Sequence, residues 1–338
     1  MVKISNDVLR RVVFTRAGVK DPLVIMGPRV GEDAAVLRVG DKFLITHTDP
    51  ITGAVANLGW YAINIVANDV AVRGVRPRWF LLTLLLPEDF SESDLVKVMD
   101  DVDEALKELN ASLIGGHTEY TPGLDRPIAS VTAMGIGDRY ITTGGAKVGD
   151  LVLVTKYVAL EGTAVLSLDM KNELTKLGVS EDITANAQSL VRSISVVKEA
   201  LALSDLASSM HDPTEGGLLQ GLLEVAEASN ARVRIYRDRV PMLRETEVIF
   251  NALKLDPLRS LSSGMLIAVI PRKDIDEAIS RLSGLGINYA VIGEVMEGEP
   301  AVELVSDSGV EVVKGFIEDD VMRMWHSKYD STKQLGQH

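Results

Sequence analysis

The stretch Asn64-Ile65-Val66-Ala67-Asn68-Asp69-Val70-Ala71-Val72-Arg73-Gly74-Val75-Arg76-Pro77 decides the fold. Small and apolar residues recur from Asn57 to Val72 at helical spacing, and Gly74 and Pro77 end the pattern. Asn64 and Asn68 lie four apart, hence on one face of that helix. This polar stripe serves either substrate contact or hydrogen bonding between helices. Asp69 follows it near the end of a helix that is otherwise almost wholly apolar, where an isolated carboxylate is costly to desolvate.

Working outward, Ser5 to Thr15 reads as a helix stopped by Gly18. Ala34 to Val39 and Phe43 to Thr46 read as a hairpin turned at Gly40 and Asp41. Trp79 to Leu86 reads as a strand, and Ser91 with Asp94 caps a long helix running to Leu109. Ser112 to Ile114 and Ile128 to Ile136 read as strands flanking a Gly-rich loop, so the class is mixed α/β. The Gly-rich stretch Thr142 to Asp150 separates two segments of similar organisation. The expected domains are therefore 1–145 and 146–326, followed by a polar tail, 327–338. The second begins with a strand, Leu151 to Thr155. Its loop His211 to Gly217 opens a helix running to about Ala228, and a later helix starts near Lys273.

Composition sets limits. The 338 residues are 46% hydrophobic, with a net charge of −13 and no cysteine. Disulfides, thiolate metal sites and covalent chemistry through the chain's own sulfur are excluded. The acidic field disfavours nucleic acid. Apolar runs are too short to span a bilayer, and the N-terminus does not read as a signal peptide, so no membrane partner and a cytoplasmic address are expected.

Five segments concentrate polar groups where their neighbours would bury them: Gly31-Glu32-Asp33-Ala34-Ala35, Thr46-His47-Thr48-Asp49, Asn68-Asp69-Val70-Ala71, Gly115-Gly116-His117-Thr118-Glu119 and His211-Asp212-Pro213-Thr214-Glu215-Gly216-Gly217. Asp33 precedes a strand and Asp49 is read as following one. Each acid alone can be a cap, a turn residue or half of an ion pair. Together they suit a shared hard cation such as Mg²⁺, which takes oxygen ligands alongside waters and substrate phosphates. The glycine pairs would let backbone N–H groups approach an anion. Neither a Walker loop nor a dinucleotide fingerprint is present. Three of the five histidines, His47, His117 and His211, fall inside these motifs, either facing phosphates and acceptor or hydrogen-bonding the motif backbones.

The order of Gly-Glu-Asp-Ala-Ala, Thr-Asp, Asn-Asp-Val-Ala, Gly-Gly-His-Thr-Glu and Asp-Pro-Thr-Glu-Gly-Gly over about residues 25 to 300 resembles the PurM-like, AIR synthase-related superfamily. That group includes aminoimidazole ribonucleotide synthetase, thiamine-monophosphate kinase, selenophosphate synthetase and HypE. Asp212 to Gly217 is most similar to HypE's Asp-Pro-Thr-Arg-Gly-Gly, with Glu215 in place of the Arg, and Leu255-Asp256-Pro257 resembles a later HypE segment. The cysteine of HypE chemistry is missing. His117 stands where the kinase has an Asp that helps hold metal.

The resemblance implies a two-domain α/β (α+β) architecture, with an N-terminal domain forming a β-barrel completed in a homodimer and a C-terminal α/β domain. It implies ATP and Mg²⁺ as cofactors, with Asp49, His117 and Asp212 in catalytic roles. Nucleotide contacts would come from Gly31, Asp33, Thr48, Asn64, Asn68, Gly115, Gly116, Thr118, Thr214, Gly216 and Gly217. Metal ligands would be Glu32, Asp33, Asp49, Asp69, Glu119 and Asp212. The acceptor would be a small molecule or a carbamoyl-type group, with a maturation protein as a further partner. The alternatives are a small-molecule kinase like thiamine-monophosphate kinase and a non-catalytic ATP-binding partner or sensor.

Overall fold

The computed structural model describes residues 4, 6–29, 31–32, 34–53 and 55–325. Asp33 and the expected tail, 327–338, lie outside the described residues. The chain divides into two compact units. One comprises Asp7–Ile141 with Ser195–Asp205; the other comprises Thr142–Ile194 with the chain from Leu206 onward.

The first unit holds a six-stranded mixed sheet of β1 (Val24–Met26), β2 (Ala35–Val39), β3 (Lys42–Ile51), β4 (Trp79–Leu86), β5 (Ser112–Tyr120) and β6 (Ile128–Gly137). Its order is β1-β2-β3-β6-β4-β5, and only the β4/β5 pair is parallel. Alternation sorts the residues into two faces. Ile45, Phe80, Leu84, Ala129, Val131 and Ala133 are fully buried on one, against the helix Leu58–Ala71, every residue of which is buried. A helix apolar all round needs cover on all sides. The helix Glu92–Leu109 supplies part of it through Val98, Val102 and Leu106. Its start is the expected cap: the Asp94 amide donates to Ser91 Oγ at 3.1 Å.

Three expectations change here. Gly115 to Glu119, read as a loop, are part of strand β5, and Asp49, read as following a strand, lies inside β3. The glycines explain the first. At Gly116 a Cβ would sit 1.8 Å from the Leu82 carbonyl oxygen, so a glycine is needed there for β5 to lie against β4. The helical stretch read over 5–15 loosens into a π turn at Leu9–Val13.

The second unit holds a seven-stranded mixed sheet of β7 (Leu151–Thr155), β8 (Ser209–His211), β9 (Arg232–Tyr236), β10 (Ile267–Ile270), β11 (Tyr289–Met296), β12 (Ala301–Ser306) and β13 (Gly309–Val313). Its order is β13-β12-β9-β11-β7-β10-β8, with β12/β9 parallel. All four residues of β10 are buried, as suits a continuous apolar run between two strands. Helices Leu160–Asp169 and Gly217–Ser229 contribute Leu166, Leu218, Leu219 and Leu222 to the core. Among the described residues no helix is long and apolar enough to cross a membrane.

Candidate functional site

In the first unit the polar motifs fall on opposite faces of the sheet. His47 pairs with Ala133, and Asp49 with Val131, both partners fully buried, which puts His47 and Asp49 on the face that the helix Leu58–Ala71 covers. His47 Nε2 lies 3.6 Å from Asp69 Oδ2, and Asp69 is only 8% exposed. Arg73, one turn on, is fully buried and forms an ion pair with Glu32. Asn68 Oδ1 accepts from the Val196 amide at 2.8 Å, and Asn64 Nδ2 donates to the Trp60 carbonyl at 3.0 Å. Both side chains are thus engaged by the unit itself.

The other face carries Thr46, Thr48, Thr83, His117 and Glu119. The chain of pairings Thr48↔Thr132↔Leu81↔Gly115 and Ser130↔Thr83↔His117 fixes this. Thr48 Oγ1 donates to the Val131 carbonyl at 3.1 Å and accepts from Thr132 Oγ1. His117 and Glu119 are exposed and 3.1 Å apart. The His117 hydrogen bond, helped by that from Thr121, holds the Glu119 carboxyl below its usual range. Thr118, paired with Leu84, belongs to the helix-covered face. The sheet therefore separates His117 and Glu119 from His47, Asp49 and Asp69. Among the described residues no three acidic or imidazole groups converge on one metal-sized point.

The donor chemistry on the helix-covered face still fits Mg²⁺. Asp49 and Asp69 offer hard oxygens, and that ion accepts one or two carboxylates while filling its other positions with water and phosphate oxygens. Glu32, the other acid described in its motif, is already committed to Arg73.

In the second unit the loop from His211 to Gly217 is clasped from within. His211, 3% exposed, bonds Glu224 at 2.6 Å, and Glu224 accepts from Gln220, whose oxygen accepts from the Ile317 amide. Asp212 is 2% exposed. Thr214 Oγ1 donates to Glu215. The Gly216 amide donates to Asp319 Oδ2 at 2.8 Å and the Gly217 amide to the Thr214 carbonyl at 3.1 Å, so both backbone donors expected for phosphate are used inside the chain. Gly217 has φ +64, and a Cβ there would lie 2.6 Å from the Ser260 backbone. Packing alone requires that glycine.

Two acids not anticipated from the sequence meet this loop. Glu161 is nearly buried, and its pKa is pushed up to about 7 by burial first, then by Glu215 and Asp319, while Ser263 pulls the other way. Ser263 stands close enough to favour the ionised form, yet Glu161 Oε2 and Ser263 Oγ complete no well-formed hydrogen bond. Asp319 rises to about 6 through burial and the nearby Glu215, against the pull of the Met322, Gly216 and Val321 amides. Glu161 could have been found by the criterion that picked out Asp69, since it is a lone carboxylate among Val158, Ala159, Leu160 and Ala164. Asp319 offered no such signal, because Glu318-Asp319-Asp320 reads as solvated surface.

The family models described as AIR synthase related protein, N-terminal domain and C-terminal domain, match residues 31–137 and 147–305. A Methanocaldococcus jannaschii protein named for hydrogenase expression/formation is 28% identical, over 95% of this chain and 96% of its own. Carbamoyl dehydratase HypE of Rhizobium leguminosarum is 26% identical, over 83% and 82%. Thiamine-monophosphate kinase of Pyrococcus abyssi is 29% identical, over 80% and 83%. Among solved structures, AaThiL complexed with AMPPCP and TMP superposes with a TM-score of 0.72 at 20% identity, covering 91% of this chain and 95% of that one. HypE in complex with ATP gives 0.71 at 21%, covering 93% of each. A HypE–HypF complex gives 0.71 at 22%, covering 90% and 99%. At these identities the superpositions establish the shared fold.

Proposed function

The chain belongs to the AIR synthase related protein family, and on that premise we propose that it is an Mg-ATP-dependent enzyme transferring the γ-phosphoryl group to an acceptor oxygen. The observation that carries this reading is that His47 and Asp49 lie on the sheet face covered by the helix Leu58–Ala71, and that Asp69 of that helix stands 3.6 Å from His47. When bound, Mg²⁺ would neutralise charge on the triphosphate oxygens. Asp49 and Asp69, with Asp33 if it joins them, would hold the cation. His47 would orient the Asp69 carboxylate, and Arg73 keeps Glu32 in place at the start of the motif. The relatives support ATP use, since two are named as a carbamoyl dehydratase and a kinase, and two superposed structures hold ATP or AMPPCP.

With no cysteine in the sequence, a thiocyanate on this chain is not open to it, so a small molecule or a carbamoyl-type group borne by another molecule is the acceptor of choice. A maturation protein is proposed as partner, by likeness to the HypE–HypF pair. A homodimer is proposed because β5 is an edge strand exposed along its length, bearing Ile114 and Tyr120 at 55% and 56% exposure. Unpaired apolar edges invite pairing, and a barrel closed by a second copy would remove this one. Sedimentation showing only monomer at micromolar concentration would sink that assembly. A cytoplasmic address accords with these partners.

One observation favours a second reading, an ATP-binding sensor without turnover: the Gly216 and Gly217 amides are bonded within the chain. Steady ADP or AMP formation with candidate acceptors, followed by mass spectrometry, supports the enzyme. Tight Mg-ATP binding with no product supports the sensor.

A further inference from the structure

A cleft of about 490 Å³ in the first unit is lined by Arg76, Arg78, Trp79, Asn110, Ser112 and Ile136. That volume is within the range of small-ligand sites. Its composition is unusual for this chain, because two guanidiniums face one hollow in a molecule of net charge −13. Neither guanidinium has an ion-pair partner among the described residues. One guanidinium nitrogen of Arg76 donates to the Leu109 carbonyl at 3.0 Å, at the C-terminal end of the helix Glu92–Leu109, which anchors the head without a carboxylate and leaves its other N–H donors for a ligand. Arg78 lies over the Trp79 ring, 4.9 Å from its centroid. Stacked in this way, a guanidinium keeps a planar face and a fork of N–H donors for a ligand.

The backbone beneath is held on both sides. The Arg78 amide donates to the Met134 carbonyl at 2.8 Å and the Ser112 amide to the Arg78 carbonyl at 2.9 Å, tying the start of β4 to β6 and β5. Asn110, in the left-handed region at φ 49, ends its helix and leaves its amide beside the cleft. The polar groups thus stand on secondary-structure ends whose positions are fixed, and Trp79 and Ile136 supply apolar wall.

Trp79 pairs with Met134, and Met134 with Thr46, so Trp79 lies on the face opposite His47, Asp49 and Asp69. The two sites also differ in chemistry. Carboxylates attract a polyphosphate only through a cation, whereas paired arginines bind an oxyanion directly and bidentately. We propose that this cleft is a second, metal-independent site for a compact aromatic monophosphate of the nucleoside monophosphate class. Its phosphate sits on Arg76 and Arg78, its ring stacks on the Arg78–Trp79 layer, and Asn110 and Ser112 bond the polar edge.

The test uses the intact chain, with AMP as probe in excess chelator, followed by calorimetry and by tryptophan fluorescence. Binding of AMP is expected without any divalent ion, at least tenfold tighter than either ribose 5-phosphate or adenosine. Arg76→Ala/Arg78→Ala, checked for unchanged circular dichroism and thermal midpoint, is expected to weaken it by tenfold or more. Trp79→Phe is expected to abolish the fluorescence change while retaining the calorimetric heat. The proposal is overturned if AMP does not bind, if its binding requires Mg²⁺, if a fragment binds as well as the whole, or if the folded double-arginine variant binds equally well. Because Mg-ATP use by the carboxylates is measured separately and requires the metal, either reading can fail alone.

Discussion

The acids of the two units solve the same problem in different ways. In the first, Glu32 is paired with buried Arg73, Asp69 has His47 at 3.6 Å and Glu119 has His117. In the second, Glu161 and Asp319 sit near Glu215, and both have their pKa values raised, to about 7 and about 6. A buried carboxylate persists when a cation or several donors compensate its desolvation, and otherwise it takes up a proton. The first unit sets its acids beside partners that carry or can accept positive charge. The second holds two whose ionised form is disfavoured by burial and a neighbouring carboxylate.

The largest expected effect tests the charged side of this contrast. Arg73→Ala should cost about 3–5 kcal/mol in urea unfolding, because removing one member of a buried pair leaves the other uncompensated. A loss below about 1 kcal/mol would mean that Glu32 is solvated after all. The protonated side is tested by pH. The folded pKa of Glu161 is raised, so its stabilising contribution is complete below its ordinary value near 4.5 and lost as pH rises through about 7. Stability of wild type should therefore fall over that window by on the order of 3 kcal/mol for this group, and Glu161→Gln should flatten the profile, leaving the smaller slope due to Asp319. An unchanged slope in the variant would assign the proton elsewhere.

Gly217→Ala should cost about 2 kcal/mol, from the left-handed backbone and the contact with Ser260. A neutral outcome would free that glycine for the phosphate role read from the sequence. His117→Ala should leave the thermal midpoint of the monomer unchanged, since its pair with Glu119 is exposed and solvent-screened in the single chain. A drop confined to concentrations at which the chain dimerises is what the proposed pairing along β5 predicts, and its absence in a demonstrated dimer would move the dimer contact off this strand.

Local rules carried much of the fold. The helix expected over Asn57 to Val72 is Leu58–Ala71, the strand Trp79–Leu86 has the expected bounds, and Ser91 caps where it should. Each depends on neighbours in sequence. What escaped depends on distant ones. Asn68 bonds an amide 128 residues away, and residues 195–205 return to the first unit, which no local pattern announces. Gly115 and Gly116 read as a loop because the role of Gly116, the close approach of β5 to β4, shows only once the partner strand is in place. The polar motifs were legible as a set, but their division between two sheet faces needed the register.

The central claim, that the charged acids of the first unit act through a cation on ATP, is tested most directly by measuring ATP turnover and thermal midpoint on one preparation of Asp69→Asn, with Mg²⁺ and in excess chelator. The amide keeps the shape of the side chain and removes its charge. The account predicts an intact fold, a wild-type midpoint shift by ATP that appears only with Mg²⁺, and loss of both that shift and turnover in the variant. Unchanged Mg-dependent turnover in folded Asp69→Asn would contradict it.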